Sequence, residues 1–93
     1  MRTIERSSAF KRDYKKIAAT PQHRDFDHLL SEIVGLLLED RPLHESARDH
    51  ALRGDWVGYR ECHVKPDLLL IYRKVDAGTL RLARLGSHSE LFG

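Results

Sequence analysis

Six histidines in a chain of 93 residues concentrate the one side chain whose unperturbed pKa, about 6.5, lets it give or take a proton near neutrality. Three of them, His50, His63 and His88, lie in the C-terminal half. One neutral and one protonated histidine make a general base and a general acid, the pair that can cleave a phosphodiester. That reaction also needs a cation on the phosphate, and Arg84, four residues before His88, is a candidate. Asp67 follows His63 across Val-Lys-Pro and opens onto Leu-Leu-Leu-Ile-Tyr. His23, His28 and His44 read as surface or structural histidines.

Other chemistries have weaker support. His50, His63, Asp67 and His88 could together form a nitrogen/oxygen metal site, but there is no His-x-x-x-His pair and no second cysteine. We therefore expect no metal and no cofactor. Cys62 adjoins His63 in a strand-like segment, so their side chains point to opposite faces; a small buried hydrophobe accounts for it better than a nucleophile does. Phe92, the penultimate residue, reads either as a plug for the sheet edge or as a stacking platform for a base.

These groups must be held by a scaffold that the apolar pattern outlines. "TIER" suits a first strand. Ser7 and Ser8 offer N-caps to a helix whose stripe is Phe10, Tyr14, Ile17 and Ala18. Thr20-Pro21 ends it, and a second helix runs from Phe26 through Leu29, Leu30, Ile33, Val34, Leu37 and Leu38 until Arg41-Pro42. The period then changes. "VGYRECHV", "DLLLIYRKV" and "TLRLARL" read as three strands, with turns at residues 64–67 and 76–78. The order β-α-α-β-β-β describes one α+β domain over residues 1–93, an N-terminal strand and a helical hairpin on one face of an antiparallel sheet. His63 then ends one strand and Asp67 begins the next, side by side at the sheet rim. In the last hairpin a two-residue loop, or a bulge that restores its register, would put Arg84 on the face of Asp67.

Apolar residues make up 41% of the chain and charged residues 32%, an ordinary globular balance. The longest apolar runs are far short of the roughly 20 residues that span a bilayer. The N-terminus lacks the form of a signal peptide, and the single cysteine suits a reducing compartment; a cytoplasmic protein without membrane contact is the expectation. The net charge is only +2, yet Arg2, Arg6, Lys11, Arg12, Lys15 and Lys16 face just Glu5 and Asp13 in the first sixteen residues. Such clustering suits phosphate contact or a solvated helix face.

Three motifs together carry a resemblance: D-H-x-L-x-G-x-W-x-G-Y-R from Asp49, H-V-x-P-D from His63, and H-x-x-L-F-G from His88. The chain resembles the YafQ branch of the RelE-type bacterial toxins, ribosome-dependent messenger-RNA endonucleases of type II toxin–antitoxin pairs. The resemblance covers essentially the whole chain and is strongest in residues 48–73 and 81–93. It implies the RelE-like fold, with His50 as general base, His88 as general acid, and Arg84 as the phosphate-binding cation. His63 and Asp67 would orient and charge-stabilise the site, and Phe92 would lie near the substrate base. The base and acid roles of the histidines are interchangeable on this evidence. It further implies a ribosome carrying mRNA as target, contacted through Lys11, Arg12, Lys15 and Lys16. A cognate antitoxin would neutralise the toxin, and operator DNA would be met only through the antitoxin complex. The same fold occurs in toxins that inhibit DNA gyrase by binding alone, and a repressor partner without activity is a further reading. The histidine constellation argues against both, since a binding surface has no need of it.

Overall fold

The computed structural model describes residues 2–93. Among them, strand β1 (Thr3–Arg6) leads into helices α1 (Ser8–Ala18) and α2 (Phe26–Leu38), which a 3₁₀ turn at Pro21–His23 separates. A loop with a second 3₁₀ turn at Glu45–Ala47 follows, then β2 (His50–Ala51), β3 (Arg60–Lys65), β4 (Leu68–Asp76), β5 (Thr79–Gly86) and a terminal helix α3 (His88–Phe92). No helix among the described residues is long and apolar enough to cross a membrane.

The sheet order is β1-β5-β4-β3-β2. From β2 to β5 it is antiparallel, as the short connections require. The expectation of an antiparallel sheet does not extend to β1, which joins β5 in parallel, the long crossover being everything from α1 to β4. Backbone bonds from Thr3 N–H to the Gly78 carbonyl (2.8 Å) and from Ser7 N–H to the Leu82 carbonyl (3.1 Å) fasten it at both ends. Ser7 then caps α1, its hydroxyl accepting from the Phe10 N–H at 2.9 Å and donating to the Ala83 carbonyl at 2.7 Å.

One face of the sheet carries Cys62, Val64, Leu68, Leu70, Tyr72, Leu80, Leu82 and Leu85 against Phe10 and Ile17 of α1 and Phe26, Leu30, Val34 and Leu37 of α2. The opposite face has its own small core: Leu69, Ile71 and Ala83 under Leu91 of α3, bordered by Leu52, Trp56 and Tyr59. Burial on both faces is why residues 68–72 are continuously apolar rather than alternating. Leu91 is 8% exposed, a burial worth about 1.5–3 kcal/mol. Gly86 eases the close approach of α3, because a Cβ there would lie 3.3 Å from both Leu91 Cδ2 and Glu90 Oε1. Ser87 and Glu90 complete a capping box at the start of α3.

The β4–β5 hairpin has the two-residue loop, with Asp76 opposite Thr79. Val75 adds one residue to β4 and Ala83 one to β5, so the two bulges cancel and Arg84 stands opposite Ile71.

Candidate active site

Directly opposite residues share a face of a sheet, and the register therefore orders the candidate groups. His50 pairs with Glu61, Glu61 with Ile71, and Ile71 with Arg84. The next row on that face runs from His63 to Leu69 to Gly86, and His88 follows Gly86 by two residues. This is the face that α3 covers, away from α1 and α2. His50, Glu61 and His63 stand on its β2–β3 side, and His88 with Phe92 on α3 beyond them.

His50 is held at both ring nitrogens. Nδ1 lies 2.6 Å from the Arg48 carbonyl and Nε2 lies 3.0 Å from Glu61 Oε2. A carbonyl only accepts, so Nδ1 carries a hydrogen and Nε2 is the nitrogen that exchanges protons. The Glu61 side chain is 7% exposed against 53% for His50, so the carboxylate is the fixed, buried half of the couple. Nε2 and Oε2 both accept unless one proton lies between them.

The loop that delivers His50 is well anchored. Asp49 accepts from the Tyr72 hydroxyl at 2.6 Å and from Arg60 Nε at 3.1 Å. Burial, reinforced by the bond to Asp49, pushes the Tyr72 phenol well above its ordinary value. Ala47 is buried beneath the loop, and Leu52 N–H donates to the Tyr59 carbonyl at 2.9 Å beyond β2.

His88 is the first residue of α3 and is exposed; its ring lies 5.1 Å from that of Phe92, one helical turn on. Phe92 is 37% exposed. It is carried by the helix, and Leu91 rather than Phe92 plugs the sheet face. Lys16 of α1 reaches Glu90 at 2.7 Å. That bond, with those from the Ser87 backbone and hydroxyl, lowers the Glu90 carboxyl to about 2.

Two expected placements differ. His63 lies inside β3, half-buried, opposite Leu69, because the turn is confined to residues 66–67 and Val64 is bulged. Asp67 is exposed at the tip of that turn, and no hydrogen bond joins it to His63 among the described residues. The carboxylate that meets one of the candidate histidines is Glu61. Arg84 lies in the expected row, but its guanidinium binds Asp13 of α1, through Nε at 2.7 Å and Nη2 at 3.2 Å. Asp13 also accepts from the Leu85 N–H at 3.0 Å, next to the bulge. Three inter-strand steps separate His50 from Arg84, roughly 14 Å between backbones.

Of the N-terminal cations, Lys11 and Lys15 border an open groove between α1 and α2, Arg12 is exposed, and Lys16 is the bridge to α3. Cys62 is fully buried, and burial pushes its thiol up to about 12, which makes it inert. Among the described residues no three His, Cys, Asp or Glu side chains converge as metal ligands would. The set of His50, His63, Asp67 and His88 is not assembled as one. Glu61 went unnoticed in the sequence, although it lies two residues before His63 and so shares its face.

The family described as "Bacterial toxin of type II toxin-antitoxin system, YafQ" matches residues 2–93. The mRNA interferase toxin YafQ of Escherichia coli (strain K12) is 40% identical over 92 residues, covering 99% of this chain and 97% of that protein. Among solved structures, YafQ from E. coli strain BL21(DE3) has a TM-score of 0.84 at 39% identity over 100% of both chains. YafQ in the E. coli DinJ–YafQ complex has a TM-score of 0.83 at 40% identity, also over 100% of both. A copper-bound mutant toxin from Helicobacter pylori has a TM-score of 0.86 at 39% identity, covering 99% of this chain and 100% of that one.

Proposed function

The chain belongs to the YafQ family of toxins of type II toxin–antitoxin systems, and we propose that it is an mRNA interferase. In this reading it is a ribosome-dependent endoribonuclease that cuts mRNA in the ribosomal A site and so inhibits translation in the cytoplasm. The observation that carries it is the His50–Glu61 couple on the sheet face against which α3, the helix that begins at His88, packs its Leu91. One group can take a proton there and another can give one.

The reaction uses the RNA's own 2′-hydroxyl and no metal. His50 removes the 2′-proton at Nε2, a step that requires the ring nitrogen to turn from Glu61 to the hydroxyl, and the Glu61 carboxylate then stabilises the imidazolium. The oxygen attacks the adjacent phosphorus, the bond to the 5′-oxygen breaks, and His88 protonates that leaving oxygen. The product ends are a 2′,3′-cyclic phosphate and a 5′-hydroxyl. His63 and Asp67 orient and charge-stabilise the reacting groups. Arg84 answers the charge on the phosphoryl oxygens, an action that requires its guanidinium to be shared with or released from Asp13. Phe92, backed by the His88 ring, stacks a base.

Lys11, Arg12 and Lys15 supply ribosome contact, while Lys16 serves α3 as well. By analogy with the DinJ–YafQ complex of E. coli, a cognate antitoxin neutralises this toxin, and operator DNA is reached only through that complex. The test is expression in bacteria with mapping of mRNA 5′ ends. Discrete new ends within reading frames should appear with the wild type and vanish with a folded His88→Ala variant. Equal cutting by that variant would remove His88 from the mechanism.

A further inference from the structure

A pocket of about 350 Å³ opens beside the site, lined by Ser46, Arg48, His63, Val64, Lys65 and Pro66. It exists because β2 is two residues long. Beyond Glu61 the outer edge of β3 has no strand partner among the described residues, and the 3₁₀ turn at Glu45–Ala47 faces it instead. The volume is near the lower end of ligand pockets, roughly 300–1,000 Å³. Three of the six lining residues can carry positive charge, and none is a carboxylate.

The three are not equivalent. The Lys65 ammonium already donates to Asp25 Oδ1 at 2.9 Å and to the Gln22 carbonyl at 3.2 Å, so part of its charge is answered outside the pocket. Ser46 is no strong donor, since its hydroxyl lies 2.8 Å from His44 Nδ1. The Arg48 guanidinium has no hydrogen bond or ion pair among the described residues, whereas the Arg48 carbonyl holds His50. Arg48 also sits at φ 48°, ψ 45°, a left-handed conformation that glycine adopts freely and other residues adopt at a cost. The carbonyl's task needs no particular side chain. An arginine kept where glycine would be easier points to a use for the guanidinium.

We propose that Arg48, with His63 and Lys65, forms a second phosphate subsite, which takes a backbone phosphate of the RNA next to the scissile one. This rests on the nuclease reading above. The guanidinium fork matches a phosphate bidentately. His63 belongs both to this pocket and to the catalytic face, so a phosphate here would fix the register of the strand relative to His50.

Arg48→Gly tests the subsite, because it keeps the backbone conformation and the carbonyl that holds His50 while deleting the cation. Arg48→Lys restores charge without the fork. Cleavage is followed on programmed ribosomes as a function of toxin concentration, with messages carrying a single neutral methylphosphonate at each linkage flanking the cut. Arg48→Gly should melt no lower than the wild type yet need at least about tenfold more toxin for half-maximal cleavage, and Arg48→Lys should recover part of that loss. One flanking methylphosphonate should weaken the wild type to a similar degree and leave Arg48→Gly unaffected. Wild-type half-saturation in Arg48→Gly, or methylphosphonate effects equal in the two proteins at every linkage, would overturn the subsite alone. Failure of the wild type on the unmodified message would overturn the nuclease reading and the subsite with it.

Discussion

Nε2 of His50 lies 3.0 Å from Oε2 of Glu61, while Nδ1 of the same ring is committed to the Arg48 carbonyl. Proton exchange at His50 is thereby confined to one nitrogen, and the group facing that nitrogen is a buried carboxylate. In the proposed mechanism the base is therefore His50 together with Glu61.

Glu61→Gln should therefore leave the fold intact and lower cleavage by about 10²-fold or more, within the range of general acid–base contributions. A glutamine would fit the space, but its amide would donate to Nε2 and hold a neutral imidazole with its lone pair occupied. Single-turnover cleavage alongside a thermal melt checks this. Wild-type cleavage by a folded Glu61→Gln protein would mean that the carboxylate only packs.

Gly86→Ala tests whether the approach of α3 matters to the chemistry. The added methyl would press on Leu91 Cδ2, a packed core atom, at 3.3 Å. We expect about 1 kcal/mol of destabilisation, a melting point lower by about 4–8 °C, and a disproportionate fall in cleavage as His88 and Phe92 move off the sheet. Unchanged melting and cleavage would show that α3 can shift without consequence.

The scaffold was largely legible in the residues, and the local reasons are plain. The stripes Phe10–Tyr14–Ile17 and Leu30–Val34–Leu37 repeat at helical spacing, prolines mark the breaks, and the run 68–72, short, apolar and bounded by turn residues, reads as a buried strand. Parallel β1 was not legible, because four residues with no pairing signal fix neither direction nor partner. Helix α3 was missed because its five residues are too few for a period, although Ser87 and Glu90 already spell its capping box. At the site, the histidine pattern and the resemblance name His50, His63, His88 and Arg84 as candidates, but neither Glu61 beside His50 nor Asp13 beside Arg84. The Glu61 and Asp13 contacts depend on strand register and on a bulge, which single-sequence spacing does not fix.

Glu90 gives a pH signature. Its carboxyl falls from 4.5 to about 2 through the Lys16 bond and the bonds from Ser87. A carboxyl lowered on folding contributes stability that is fully present above its unfolded value and is lost as pH falls through its folded one. The Lys16 side chain is 69% exposed, so solvent screening keeps the ion pair's share small and the capping box carries most of the effect. Thermal melts of wild type and Glu90→Gln should differ at pH 7 and converge between pH 4.5 and about 2. A gap that persisted undiminished to pH 2 would rule out ionised Glu90 as its source.

By the proposed mechanism this chain needs only its own side chains and the RNA's 2′-hydroxyl to cut. In it His50 with Glu61, and His88 of α3, supply the proton transfers. Ribosomes carry their own magnesium, so chelation is a poor probe. The direct measurement is cleavage, on programmed ribosomes, of a message with one 2′-deoxy substitution at the nucleotide 5′ to the cut. This substitution should block cleavage, and the natural message should yield a 2′,3′-cyclic phosphate or its 3′-phosphate product. Cleavage of the deoxy message at the natural rate would contradict it.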